Sequence, residues 1–409
     1  MCGKKVNFFS MTSLSIKALT ILVLSLTAFH DCYAQSDSLQ SSSIHHQLEF
    51  NAAPAYLFQT SEFFKGANQK QEPIDNTISY HLKYGFRFAD DSYFGRLYPH
   101  TYQGIGLSLS DFHNKDEIGT PVSIYLFQGS PICFLSRNLS VDYEWNFGAS
   151  FGWKQYDADT NPYNNVVGSR INAYINLGFY LNWQIARNVK FKLGGDATHF
   201  SNGNTKYPNG GVNSVSLRGG LAYCFDSSCR PASSSRSAAI SPFKPFLSYE
   251  LMIYGAVRFK GINEQQYLVP GRFAIVGFNF APMYSVNRYF KTGLSLDGVY
   301  DDCANLENHV AGRNDEDNLL FYRQPFIERI SLGLSARAEF VMPIFSINLG
   351  LGNDILYRGD STRGFYQTLA LKTSLSRNLF VNIGYQLSKF HIPKNLMIGV
   401  GYRFHNKRQ

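Results

Sequence analysis

From Lys190 to Ser201 the chain alternates residue by residue. Phe191, Leu193, Gly195, Ala197, His199 and Ser201 share one strand face, and Lys190, Lys192, Gly194, Asp196, Thr198 and Phe200 the other. Val215, Leu217, Gly219, Leu221, Tyr223 and Phe225 alternate in the same way with Ser214, Ser216, Arg218 and Gly220, and Leu396, Ile398, Val400, Tyr402 and Phe404 repeat the pattern. A face this apolar needs either a core or lipid to point at. After the first segment no apolar stretch reaches the roughly 18 residues a membrane-spanning helix requires. The chain is therefore either a soluble sheet protein or a barrel whose apolar face meets the bilayer. Aromatic residues make up 15% of it and charged residues only 17%, which suits strands with aromatic girdles at two membrane interfaces better than the competing secreted β-sandwich array.

Residues 1–34 read as a signal peptide. Lys4 and Lys5, or Lys17 if Met11 starts the chain, precede the apolar run Ala18 to Phe29, and Cys32-Tyr33-Ala34 supplies small residues for cleavage before Gln35. Phe29-His30-Asp31 makes Cys32 a poor lipoprotein site. Strands are expected from about His46, Thr77, Tyr102, Pro121, Leu139, Gly168, Val189 and Asn213, which makes 35–225 one eight-stranded half. The Ser-, Ala- and Arg-rich stretch 226–242 reads as a linker. A second set from Phe243, Arg272, Tyr289, Phe326, Phe345, Arg363, Leu379 and Asn395 fills 243–409. The fold class is all-β: an antiparallel transmembrane β-barrel protein of two tandem eight-stranded halves, with one sixteen-stranded barrel as the alternative.

The halves resemble each other at their ends. Ala186-Arg187-Asn188 before Val189 parallels Ser376-Arg377-Asn378 before Leu379, but the second copy carries Lys389, Phe390 and His391 where the first has His199, Phe200 and Ser201. With the first strand rising from the periplasm, the seventh rises too. The loop Asn202 to Val212 then lies outside the cell and Ser201 sits at the outer leaflet. The closing strand, ending in Phe404, resembles the targeting signal of bacterial outer-membrane barrels.

Other features carry less. Cys224 and Cys229 are close enough to pair in an oxidising compartment, whereas the four cysteines Cys133, Cys224, Cys229 and Cys303 lack the spacing of a zinc site. The net charge of +8 is compatible with anionic lipid headgroups, and no basic tract interleaved with aromatics points to nucleic acid. Asp142 and Glu144 read as lumen polarity and Asp315-Glu316-Asp317 as a solvated loop, with recruitment of a divalent cation as the alternative for that run.

The end of the seventh strand is where chemistry concentrates. His199 and Ser201 stand two apart on the lipid-facing side, with Cβ atoms roughly 7 Å apart, a gap an imidazole and a hydroxyl bridge. Asn213 falls on the same face of the eighth strand beside them, while Asp196 faces the other way. A hydroxyl, a base and a group that orients the base form a nucleophile with its activating partners. The run His199-Phe200-Ser201-Asn202, then Pro208-Asn209-Gly210-Gly211-Val212-Asn213, with Asn164-Asn165-Val166-Val167-Gly168-Ser169 upstream, resembles the PagL-like lipid A 3-O-deacylases and their Bacteroidetes branch, labelled acyloxyacyl hydrolase. The match is best over 161–225, plausible from His46, and beyond Phe243 only the barrel pattern persists.

That resemblance implies an eight-stranded outer-membrane barrel with a Ser-His-Glu triad on its outer wall and lipid A of lipopolysaccharide as substrate. Carried over, Ser201 is the nucleophile, His199 the base, and Asn209 with the backbone amides of Gly203 and Asn204 supports the oxyanion; Asn202 is a further helper. Asn213 stands where the family's glutamate is expected, so the imidazole is oriented by an amide without a compensating charge. The expectation is a carboxylic ester hydrolase of the outer membrane that uses no metal or cofactor and binds no nucleic acid, with a homodimer allowed. The alternatives are a non-catalytic porin-like or structural barrel and a phospholipase-like barrel.

Overall fold

The computed structural model describes residues 44–225, 242–262, 267–269, 271–313, 319–390 and 392–405. The signal segment, Cys229, the run Asp315-Glu316-Asp317 and His391 lie outside the described residues. No helix among those described is long and apolar enough to cross a membrane. Instead the chain forms two closed eight-stranded barrels. The first comprises β1 (Ile44–Leu57), β2 (Asn76–Phe88), β3 (Tyr102–Asp111), β4 (Gly119–Ser136), β5 (Leu139–Trp153), β6 (Ile171–Ala186), β7 (Val189–Ser201) and β8 (Val212–Cys224). The second uses Phe246–Arg258, Phe273–Ser285, Phe290–Asp301, Ile330–Val341, Phe345–Tyr357, Phe365–Ser374, Leu379–Ser388 and Ile392–His405.

Each strand pairs antiparallel with its neighbours in sequence, and each half closes on itself: β1 against β8 from Gln47↔Cys224 to Leu57↔Ser214, and Ile392–His405 against Phe246–Arg258. The single sixteen-stranded barrel is thereby excluded. The largest shift from the expected strand starts is at Ile330, because Phe326–Arg329 is taken up by a 3₁₀ turn. Two short ribbons in the long loops, 261–262 with 267–268 and 310–313 with 319–321, have no counterpart in the sequence reading.

Alternation sorts the side chains as the pattern demands. Leu177, Phe179, Leu181, Val215, Leu217 and Leu221 point outward and are exposed, and so form the lipid-facing wall. The lumen of the first barrel is closed by charge. Lys83 and Lys192 each bridge Glu49 and Glu144 at 2.6–3.3 Å, all four fully buried, and Asp196 holds Arg218 at 2.7 Å. The second lumen repeats the chemistry with Glu250 and Glu339 around Lys372, and Asp297 on Arg337. Glu144 and Asp142 are thus lumen groups, as parity indicates. At the long-loop end Phe63, Phe64, Phe112, Trp153, Val166, Tyr174 and Phe200 plug the first barrel with apolar packing.

The internal resemblance has a structural basis. Asn188 donates through Nδ2 to Cys224 O at 3.0 Å while its own carbonyl accepts Cys224 N–H at 2.8 Å; Asn378 does the same with Arg403 at 2.8 and 2.7 Å. Each asparagine clips the turn between the last two strands to the end of the eighth. Cys224 is disulfide-bonded, and Cys133 and Cys303 are free.

Removing one member of a buried ion network leaves its partners charged and unpaired. Lys192→Met is expected to lower the unfolding free energy of the refolded protein by about 3 kcal/mol or more, read from the urea midpoint in lipid vesicles.

Candidate active site

The register of β7 brings the site together. His199 lies directly across from Asn213 on β8, and Ser201 across from Ala173 on β6. Asn213 Oδ1 is 2.6 Å from His199 Nδ1, and His199 Nε2 is 2.9 Å from Ser201 Oγ. Both contacts fall within hydrogen-bond range. With Oδ1 accepting, the proton sits on Nδ1, which leaves the Nε2 lone pair facing the hydroxyl. That is the tautomer a general base requires. All three side chains are half-buried on the outside of the barrel at its long-loop end. The outward neighbours are apolar: Val215 and Leu177 are exposed, and Ile175 flanks His199 across the ladder.

The loop 202–211 is braced from within. Asn209 Oδ1 accepts Asn202 N–H at 3.0 Å, and its Nδ2 donates to Asn204 Oδ1 at 3.0 Å. Asn202 in turn donates through Nδ2 to Lys206 O at 2.8 Å and its carbonyl accepts Thr205 Oγ1–H at 2.8 Å. The side chains of Asn209 and Asn202 therefore shape the turn that follows Ser201. The Gly203 N–H, in the left-handed region at φ 63°, is left unclaimed among the described residues.

The upstream motif supplies the floor. Asn164 is fully buried, donating to Glu117 O and Lys154 O and accepting from Val166 and Val167 N–H. That arrangement presents Val166 O to Gly210 N–H at 3.0 Å and pairs Val167 with Asn209. Two glycines are forced by close approach. A Cβ on Gly168 would lie 2.3 Å from Tyr207 C, and one on Gly211 would lie 3.3 Å from His199 Cε1 at φ 70°. The sequence reading singled out this stretch only as part of a motif. Buried asparagine next to glycine, opposite a second glycine-rich loop, was the available signal for two loops packed backbone to backbone. Asp196 sits in the lumen on Arg218, away from His199. No group of three or more His, Cys, Asp or Glu residues able to hold a metal ion occurs among the described residues.

Residues 78–222 match the family described as lipid A 3-O-deacylase (PagL), and residues 247–406 match the acyloxyacyl hydrolase C-terminal domain. The second half, which in sequence offered only a barrel pattern, thus has a family model of its own. Among solved structures, the chain is similar to the outer-membrane enzyme PagL, at 18% identity, covering 42% of this chain and 97% of that one, with a TM-score of 0.27. It is similar to Neisserial surface protein A, at 9% identity over 45% and 99% of the two chains, with a TM-score of 0.28. A triple mutant of the Rhodopseudomonas blastica porin aligns at 11% identity over 89% of this chain and 100% of its own, with a TM-score of 0.17. No curated protein matches the chain.

Gly211→Val places a branched side chain against the imidazole at a positive φ. The variant is expected to assemble as a barrel yet label at Ser201 at least about tenfold more slowly with a serine-directed fluorophosphonate, because an off-position base forfeits general-base assistance.

Proposed function

We propose that this chain, which belongs to the PagL lipid A 3-O-deacylase family of outer-membrane β-barrels, is a serine esterase that removes an ester-linked acyl chain from lipid A in the outer leaflet. The observation that carries the reading is the pair of hydrogen bonds running from Asn213 through His199 to Ser201 on the lipid-facing wall. A water-filled lumen is not where this chemistry would run, since both lumens are occupied by buried ion networks. An acyl chain already lies in the bilayer beside the wall, so the ester has only to reach the rim.

In the proposed reaction Ser201 Oγ attacks the ester carbonyl carbon while its proton passes to His199 Nε2. The tetrahedral oxyanion is held by the Gly203 N–H, with the Asn204 N–H and the Asn209 amide as further donors and Asn202 holding the turn. Collapse breaks the bond to the sugar oxygen, which takes the proton from His199 and leaves as the hydroxyl. Water then attacks the acyl-enzyme, giving its proton to His199, and the fatty acid departs as Ser201 is restored. Asn213 keeps the proton on Nδ1 throughout, but offers the transient imidazolium a dipole in place of a charge.

A non-catalytic barrel is the competing reading, favoured by Asn213 alone. Two substitutions separate them. Ser201→Ala is expected to abolish loss of one acyl chain from lipid A, followed by mass spectrometry of lipid A from expressing cells, while the barrel still inserts. Asn213→Glu is expected to raise kcat by about tenfold or more, within the roughly 10⁴ that an acid-to-amide change costs a serine triad. Unchanged lipid A with the wild type correctly inserted would reject the deacylase reading.

A further inference from the structure

The second barrel reaches the end of β7. Gly203, two residues after Ser201, is buried, and Tyr385 from the strand Leu379–Ser388 lies against it. A Cβ built on Gly203 would lie 2.3 Å from Tyr385 Cε1, 2.8 Å from its Oη and 2.9 Å from its Cζ, so the ring edge rests on the glycine backbone. Asn382, Gly384 and Gln386 are the buried, lumen-facing residues of that strand. Tyr385 therefore stands on the outer wall, beside Ile383 and across the ladder from Leu369. Those two neighbours are exposed, whereas Tyr385 is half-buried. At the opposite rim Tyr289 Oη donates to Leu97 O at 2.9 Å, Tyr98 Oη to Val341 O at 3.1 Å and Arg288 Nη1 to Tyr93 Oη at 3.0 Å, while Trp145 meets Phe345 edge to face. Contacts at both rims fix how far up the wall Tyr385 stands.

The turn it touches is otherwise braced around Gly203 and not at it. Gly203 and Asn204 both lie in the left-handed region, at φ 63° and 61°, as the two central residues of a type I′ turn must. Thr205 N–H closes that turn on Asn202 O at 3.3 Å. The side-chain bonds of the loop end on Asn202, Asn204, Thr205, Lys206 and Asn209, and none among the described residues ends on Gly203. A glycine has wells of similar depth on both sides of φ zero. The peptide between Asn202 and Gly203 can therefore swing from one to the other and carry its N–H away from Ser201. A ring edge set against the glycine blocks that swing.

We propose that Tyr385 is a positioning residue supplied by the second barrel: it pins the turn after Ser201 and so holds the Gly203 N–H where the tetrahedral oxyanion develops. A donor of this kind contributes to rate only when it is already aimed before charge appears. The second barrel thus acts on the reaction through one aromatic edge, without touching the substrate. The inference rests on the deacylase reading above.

The test uses the full chain in mixed micelles with lipid A as substrate, each variant first checked for barrel assembly by its heat-modifiable gel mobility. Tyr385→Ala is expected to lower kcat about tenfold with KM within about twofold, the signature of an interaction made in the transition state. Tyr385→Phe, which keeps the ring, should recover most of the loss. Gly203→Ala collides with the ring, and adding Tyr385→Ala to it should restore activity about threefold or more over Gly203→Ala alone, because the two sites are coupled. An unchanged kcat in Tyr385→Ala, a rise confined to KM, or an equal loss in Tyr385→Phe would overturn the assignment. Should the wild type leave lipid A intact, the deacylase reading fails separately, and hydrogen exchange of the bonded Asn202 and Thr205 amides then decides whether the ring pins the turn. Faster exchange there in Tyr385→Ala, with the β7 amides unchanged, supports the pinning, and equal exchange rejects it.

Discussion

Lipid offers an unpaired backbone amide no partner, and that constraint governs everything else in this protein. A strand in the bilayer must be hydrogen-bonded on both sides, so each set of eight curls until its first and last strands meet. A ring of eight leaves an interior only wide enough for side chains. Here it is filled by lysine and glutamate side chains in ion pairs with one another. With the inside spent on its own neutralisation, chemistry on a membrane substrate has one place left, the outer wall. The proposed site at the top of β7 fits that geometry, since it is where the lipid-facing stripe runs out and polar side chains meet the interface.

Much of this was legible in the sequence because a period of two is a short-range property. Knowing that Leu193 faces lipid fixes the face of His199 and Ser201, and the hairpin to β8 fixes that of Asn213. The strand starts were legible to within three residues for the same reason, save at Phe326, where a turn that keeps a hydrophobic residue looks like the beginning of a strand. Parity also assigned Glu144, Asp142 and Asp196 to the lumen.

What was not legible depends on distance in the chain. Alternation says that Lys83 and Glu144 share a lumen, but not that they touch. The tasks of Asn209 and Asn202 as braces of the loop depend on which groups the turn brings near, and a motif alone does not carry that. The contact between Gly203 and Tyr385 joins residues of different halves that lie far apart in the chain, and no local pattern announces it. The role of Asn164 was hidden for a related reason. Its four partners lie on three segments that only the folded loops assemble.

The even strand count of each ring has a consequence for how such proteins grow. A chain that crosses eight times returns to the compartment it left, so β8 ends on the side where Phe246–Arg258 begins. Appending a ring inverts nothing, drags no polar segment through hydrocarbon and leaves the finished one untouched. Membrane barrels of this parity are modular in a way that odd ones cannot be: a second ring can be added whole and offer its outer surface to the first as a neighbour.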